Sequence, residues 1–211
     1  MLALAACNTE NGAPAPENAD TTAGNTDTPA GTVYAAQLGP LNQTAVGTET
    51  SGEVRLTVVG DSLTIHVAVQ NSPPGISHWQ HFHGFADNRE ATCPTATADA
   101  NNDGIVDLIE TEPVAGTTMV PFNANPVALA IPEESYPTAA ADGSYQYDTT
   151  VSLSALQAAV GAQALDLANR VVFIHGVPAT KTLPETVASL GPIPAQTTIP
   201  IACGNLEVVP Q

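Results

Sequence analysis

The stretch GEVRLTVVGDSLTIHVAV, residues 52–69, alternates apolar and polar side chains through two runs separated by Gly60-Asp61. Successive residues of an extended chain point to opposite faces, so Val54, Leu56 and Val58 share one face of a first strand. Leu63, Ile65, Val67 and Val69 share one face of a second, and the Gly-Asp dipeptide supplies the turn. A β-hairpin with one buried face is predicted. His66 falls on its opposite face as an ordinary outward residue.

The same period continues on both sides. TVYAAQL, residues 32–38, reads as a first strand, and NSPPG, residues 71–75, breaks the hairpin before a strand over 77–85. ADGSYQYDTTVSL, residues 141–153, reads as a turn at Asp142-Gly143 followed by a strand. In SALQAAVGAQALDLAN, residues 154–169, Leu156, Ala159, Val160 and Leu167 recur at helical spacing; Gly161 interrupts them, and a long loop is the alternative. RVVFIHG, residues 170–176, is a buried type of strand, and TIPIACGNLEVV, residues 198–209, closes the domain as a final strand. Short strands with Gly and Pro turns predict an all-β antiparallel sandwich or barrel.

A length of 211 residues suits one domain with an appendage. Four Lys and Arg against 21 Asp and Glu leave a net charge of −17, which excludes a basic nucleic-acid footprint and favours solubility and calcium. Leu4-Ala5-Ala6-Cys7 resembles a bacterial lipobox, with Cys7 the lipid attachment site, although the basic and long apolar parts of a signal peptide are missing. A start placed too late would account for that. Residues 8–31 contain no aromatic, Lys or Arg and read as a disordered tether, leaving a β domain over 32–211. The expectation is an exported lipoprotein of the bacterial outer membrane, periplasm or cell surface, touching membrane only through its anchor. With Cys7 lipidated, Cys93 and Cys203 remain as an even pair. Either they form a disulfide, closing a loop of a size that contributes roughly 4–5 kcal/mol, or they are two buried thiols.

HWQHFHGF, residues 78–85, holds three of the five histidines. His81 and His83, two apart on a strand, project to one face and can grip one metal; His78 faces the other way. HWQHFHGFADNREATC, residues 78–93, resembles the copper-site strand and following loop of the Cu/Zn superoxide dismutases. Downstream, ADGSYQYDTTVSL, NRVVFIHG and IACGNLEV are similar to that family's Asp-Gly turn, its third-histidine strand and its closing Ala-Cys-Gly strand, in the same order. The resemblance implies a Greek-key antiparallel β-barrel with long loops. It implies copper on His81, His83 and His175, a structural His78, and a Cys93–Cys203 disulfide. The long loops between the motifs do not match. Asp99 stands where the family's bridging histidine should be, no zinc-binding histidine follows it, and zinc is not expected. Pro200 stands in place of the family's arginine, leaving Arg89 and Lys181 as substitutes and no catalytic residue assigned.

Where the zinc ligands should lie, residues 99–110 read DANNDGIVDLIE, an EF-hand calcium pattern. Asp99, Asn101 and Asp103 supply oxygens, Gly104 the turn, and Ile105 a carbonyl; Asp107 acts through water and Glu110 in bidentate fashion. The alternative is an acidic turn. CPTATA, residues 93–98, is a poor helix, so the expectation is an isolated calcium loop without flanking helices. Three functions are then in play. One is copper-dependent dismutation of superoxide, a small anion; the second is copper holding without turnover; the third is a calcium-stabilised interaction domain. The chordin-type domains of bacterial surface proteins also carry His-x-His segments but match the paired cysteines and the FIHG strand less well.

Overall fold

The computed structural model describes residues 31–131, 135–161 and 165–210; the expected lipobox with Cys7, and the tether apart from Gly31, lie outside the described residues. The predicted hairpin is formed by β1's neighbour β2 (Ser51–Val59) and β3 (Ser62–Gln70), with β1 being Thr32–Pro40. Its register sets Val54 against Val67, Leu56 against Ile65 and Val58 against Leu63, so the alternating apolar side chains meet on one face. Leu56, Leu63, Ile65 and Val67 are wholly buried there. Gly60 takes the positive φ of 57° that the tight turn requires. On the outer face His66 pairs with Asp148 at 2.7 Å.

The remaining strands are β4 (Gln80–Gly84), β5 (Thr117–Pro121), β6 (Tyr145–Ser152), β7 (Val171–His175), β8 (Pro200–Asn205) and β9 (Glu207–Val208). All described pairings are antiparallel, in the order β5-β4-β7-β8-β1-β2-β3-β6, with β9 added on β1. The neighbours β3–β6 and β4–β7 are not consecutive in sequence, so the chain crosses the barrel end in Greek-key fashion. The sheet curls until β5 and β6 approach; there the Tyr147 hydroxyl donates to the Asn123 carbonyl at 2.8 Å and Phe122 stacks on Tyr147. The fold is an all-β Greek-key barrel. Its interior is filled by Phe82, Val172, Ile174, Ile201 and the hairpin residues.

Among the described residues, four short helices, α1 (Gln43–Val46), α2 (Leu108–Ala115), α3 (Leu153–Val160) and α4 (Ala195–Thr198), occupy the connections. The helical spacing after residue 154 is realised only as far as Val160. Gly161 at φ 74° ends α3, and a single 3₁₀ turn at Leu167–Asn169 leads into β7. The absence of a helix flanking the acidic loop is corrected by α2, which starts at Leu108. Asp107 caps it by accepting from the Ile109 and Glu110 amides while Glu110 reaches back to the Asp107 amide. That capping box outweighs the interior Pro113, which argues against a helix on sequence grounds. The final strand is likewise broken: Leu206 donates to the Arg170 carbonyl and separates β8 from β9.

The Cys93–Cys203 disulfide is formed, joining residues 110 apart in sequence. It ties the loop after β4 to β8 and sits on a small second core of Ala91, Ala115, Val171 and Phe173, outside the barrel.

Candidate metal centre

All five residues of β4 are buried. Gln80 and Phe82 face the barrel interior, where the Gln80 amide is held by Phe122 and Tyr145. His81 and His83 face outward, where a solvated strand would be wet, but the loops that follow β4 and β7 close over them. His81 is paired with Phe173, two residues before His175, so β7 brings His175 to the same outer face. The three histidines are 3 %, 1 % and 2 % exposed. One ring nitrogen from each lies within 4.8 Å of the others, a group that can hold a metal ion.

The hydrogen bonds fix which nitrogen is offered. His175 Nδ1 donates to the Thr198 carbonyl at 2.7 Å and His83 Nδ1 to the Gly116 carbonyl at 3.2 Å. In a neutral imidazole the other nitrogen then carries the lone pair, so both present Nε2. His175 Nε2 and His81 Nδ1 are buried without a hydrogen-bond partner. Two orphaned ring nitrogens in one cluster are expensive in a protein interior unless an ion takes them. Backbone carbonyls on the far nitrogen are also how metal-binding histidines are oriented.

Electrostatics agree with this donor set. Burial pushes His83 down to about 3 and His175 to about 4, and His81 well below the ordinary value, with repulsion from its neighbours adding to the effect on His81 and His83. The rings are therefore neutral at neutral pH, the form a metal requires, and binding an ion does not first have to displace a proton.

The fourth histidine, His78, is fully buried and does not join the group. Its Nδ1 faces the His175 carbonyl and its Nε2 the Pro73 carbonyl, both at 2.9 Å, and its ring stacks on Tyr145. It clamps the end of β7 to the loop before β4.

Arg170 has no exposed surface and fixes the loop after β4. Its Nη2 donates to the Asn88 side chain at 2.6 Å, with Asn88 turned into the left-handed region at φ 61°. Gly84 lies under the Arg170 chain, where a Cβ would stand 2.5 Å from Arg170 Cδ. Arg89, considered for a place over the metal, pairs with Asp87 at 3.0 Å and sits 3.5 Å above the Phe85 ring. Among the described residues no hydrogen bond or ion pair joins Arg89 or Lys181 to the three histidines.

The acidic loop is folded by its own side chains. Asp99 accepts from the Asp103 and Gly104 amides, Asn101 from Asp103, and Asp103 from Ile105. Glu110 closes the loop by accepting from Ala100 and from Asp107. Asn102 at φ 59° and Gly104 at φ 87° supply the reversals. Among the described residues, only the histidines gather into a metal-holding group of three or more His, Cys, Asp or Glu; the carboxylates of 99–110 stand further apart.

Contacts on two sides that sequence reasoning missed place this loop. Asn42, at φ 53°, accepts from the Val106 amide and donates to the Val106 carbonyl, reading both backbone groups as a neighbouring strand would. It also donates to the Pro200 carbonyl of β8, opposite His175. From the other side, the Thr186 hydroxyl and Ala188 amide of the loop after β7 each donate at 2.6 Å, to Asp103 and Asp107 respectively. No periodicity or motif marks Asn42 or Thr186 for these roles. Searched against protein-family models and against curated proteins, the chain matches none.

Proposed function

We propose that this protein is a superoxide dismutase-like lipoprotein that binds one copper ion through His81 Nδ1, His83 Nε2 and His175 Nε2. The observation that carries the proposal is the convergence of three buried neutral imidazoles, two of them with an orphaned ring nitrogen. Imidazole suits copper in both oxidation states. When bound, copper would supply the one-electron chemistry by which two superoxides and two protons become dioxygen and hydrogen peroxide. The chain's own part is to hold the ligand nitrogens deprotonated, fix their tautomers through the Thr198 and Gly116 carbonyls, and keep bulk water off with Phe173 and the covering loops.

Two features fit an exported protein. A disulfide between Cys93 and Cys203 suits an oxidising compartment, and the Leu-Ala-Ala-Cys sequence ending at Cys7 suits lipid anchoring there. Calcium on residues 99–110 belongs to the same proposal, with Asp99, Asn101, Asp103, the Ile105 carbonyl, Asp107 and Glu110 as its oxygens. The ion would draw these oxygens away from the amides they now accept from. Extracellular calcium fills sites with Kd as weak as about 10⁻⁴–10⁻³ M.

A second reading, copper holding without turnover, is favoured by the depth of the three histidines and by the engagement of Arg89 with Asp87 and Phe85. The test is superoxide dismutation by the copper- and calcium-loaded protein, with bound metals quantified in the same sample. One copper with fast turnover supports the dismutase; one copper without turnover leaves the copper-holding reading. Wild-type levels of copper after His81→Ala or His175→Ala would refute the site.

A further inference from the structure

We propose that the Thr118 hydroxyl is the hydrogen-bond donor for a small anion at the three-histidine centre. The proposal rests on the copper reading above and adds a residue to it. Thr118 lies on β5, the edge strand, directly across from His83. The three histidines are almost wholly buried, whereas Thr118 is half-buried, so its side chain spans from the cluster to the solvent side.

Its placement depends on an irregularity in the sheet. Phe82 pairs with Val120, but the next residue, His83, pairs with Thr118, and Met119 is the extra residue of the bulge. A regular ladder would have set Met119 against His83. Bulges re-aim side chains in this way at the rims of barrels and beside active sites. Here the shift brings a hydroxyl rather than a thioether to the imidazole.

The direction of the contact follows from the tautomer. Thr118 Oγ1 is 3.1 Å from His83 Nε2, and His83 Nδ1 already donates to the Gly116 carbonyl. Nε2 therefore accepts, and Thr118 donates into the lone pair that an ion would use. An ion on that nitrogen takes the acceptor and leaves the hydroxyl proton unpaired beside a cation. The hydroxyl lies in the direction an ion on Nε2 would take, so it would turn aside and stand next to that ion. A two- or three-atom anion at the ion would offer that hydroxyl a charged acceptor. The Phe173 ring, 4.6 Å from the His83 ring, gives an apolar wall that rewards such a bond over one to water. The ligand class is a small linear monoanion, of which superoxide and azide are examples.

The probe is azide, titrated by visible absorption and electron paramagnetic resonance into the copper(II)-loaded full chain. Thr118→Val removes the hydroxyl and keeps the β-branched shape that an edge strand favours; Thr118→Ser restores the hydroxyl. Loss of one hydrogen bond to a charged acceptor should weaken azide about tenfold in Thr118→Val. Thr118→Ser should stay within about twofold of wild type, a change too small to count as a lost hydrogen bond. All three proteins should hold one copper. Should valine disturb the edge strand, Thr118→Ala replaces it and is read the same way. Equal azide affinity with and without the hydroxyl, at one copper per chain, would overturn the role of Thr118 and leave the copper reading standing. A wild-type chain that holds no copper would overturn both.

Discussion

Acid should weaken the metal-free protein through His83 and His175. Both imidazoles have an ordinary value of 6.5 and are held at about 3 and about 4 in the fold, chiefly by burial. Their folded values lie below the unfolded ones, so between these limits the unfolded chain takes up protons that the fold refuses. Stability is therefore full above the unfolded value and is lost as pH falls through about 6.5 toward about 4. Between pH 7 and pH 5 each ring costs about 2 kcal/mol, and the pair about 4, against a total stability on the order of 5–15 kcal/mol. Both rings are at most 2 % exposed, so solvent does little to screen the effect. Relief of the net charge of −17 on acidification acts in the opposite direction, and His81 acts in the same one. Comparison with His83→Gln/His175→Gln removes the net-charge contribution, which the variant keeps, and the part of the His81 contribution that comes from burial, the larger cause of its shift. Urea unfolding with chelator present and the disulfide intact, followed by the fluorescence of Trp79, the single tryptophan, gives the four free energies. The wild type should lose about 4 kcal/mol more than the variant on going from pH 7 to pH 5. Equal losses would refute the claim that these two rings are buried in the neutral form.

Two further outcomes test the surroundings of the site. Asn42→Ala should cost about 3–4 kcal/mol in denaturant unfolding, since it strands the buried Val106 amide and carbonyl and sets alanine in the left-handed region; a cost under about 1 kcal/mol would show that Asn42 does not clamp the loop. Glu110→Gln should weaken calcium affinity and reduce the rise in melting temperature on adding calcium, read by calorimetry; an unchanged rise would remove calcium from residues 99–110.

Much of the barrel was legible because its strands alternate. The period that places Val54, Leu56, Leu63 and Ile65 on one face is local, and the register then follows from burying that face once. The edge strand β5 was not read from TTMVP, although its β-branched residues were a signal, because five residues are too few for a period to stand out. Helix α2 was missed because only CPTATA, before the loop, was weighed as a flanking helix, while the Asp107–Glu110 capping box starts one after it.

For the site, the sequence alone determined the residues that share a face. His81 and His83 are two apart, and strand geometry allows them only one side. The order of motifs, taken with the resemblance, identified His175 and the two cysteines. What the tertiary structure decided is everything that depends on groups distant in the chain. Carbonyls 33 and 23 residues away choose the tautomers of His83 and His175. A bulge in β5 chooses a hydroxyl over a thioether, and Asn42 reaches 64 residues ahead to hold the acidic loop. Such contacts leave no trace in local composition, because any residue with a backbone carbonyl can accept the bond. Only the curled sheet and its loops set which carbonyl stands there.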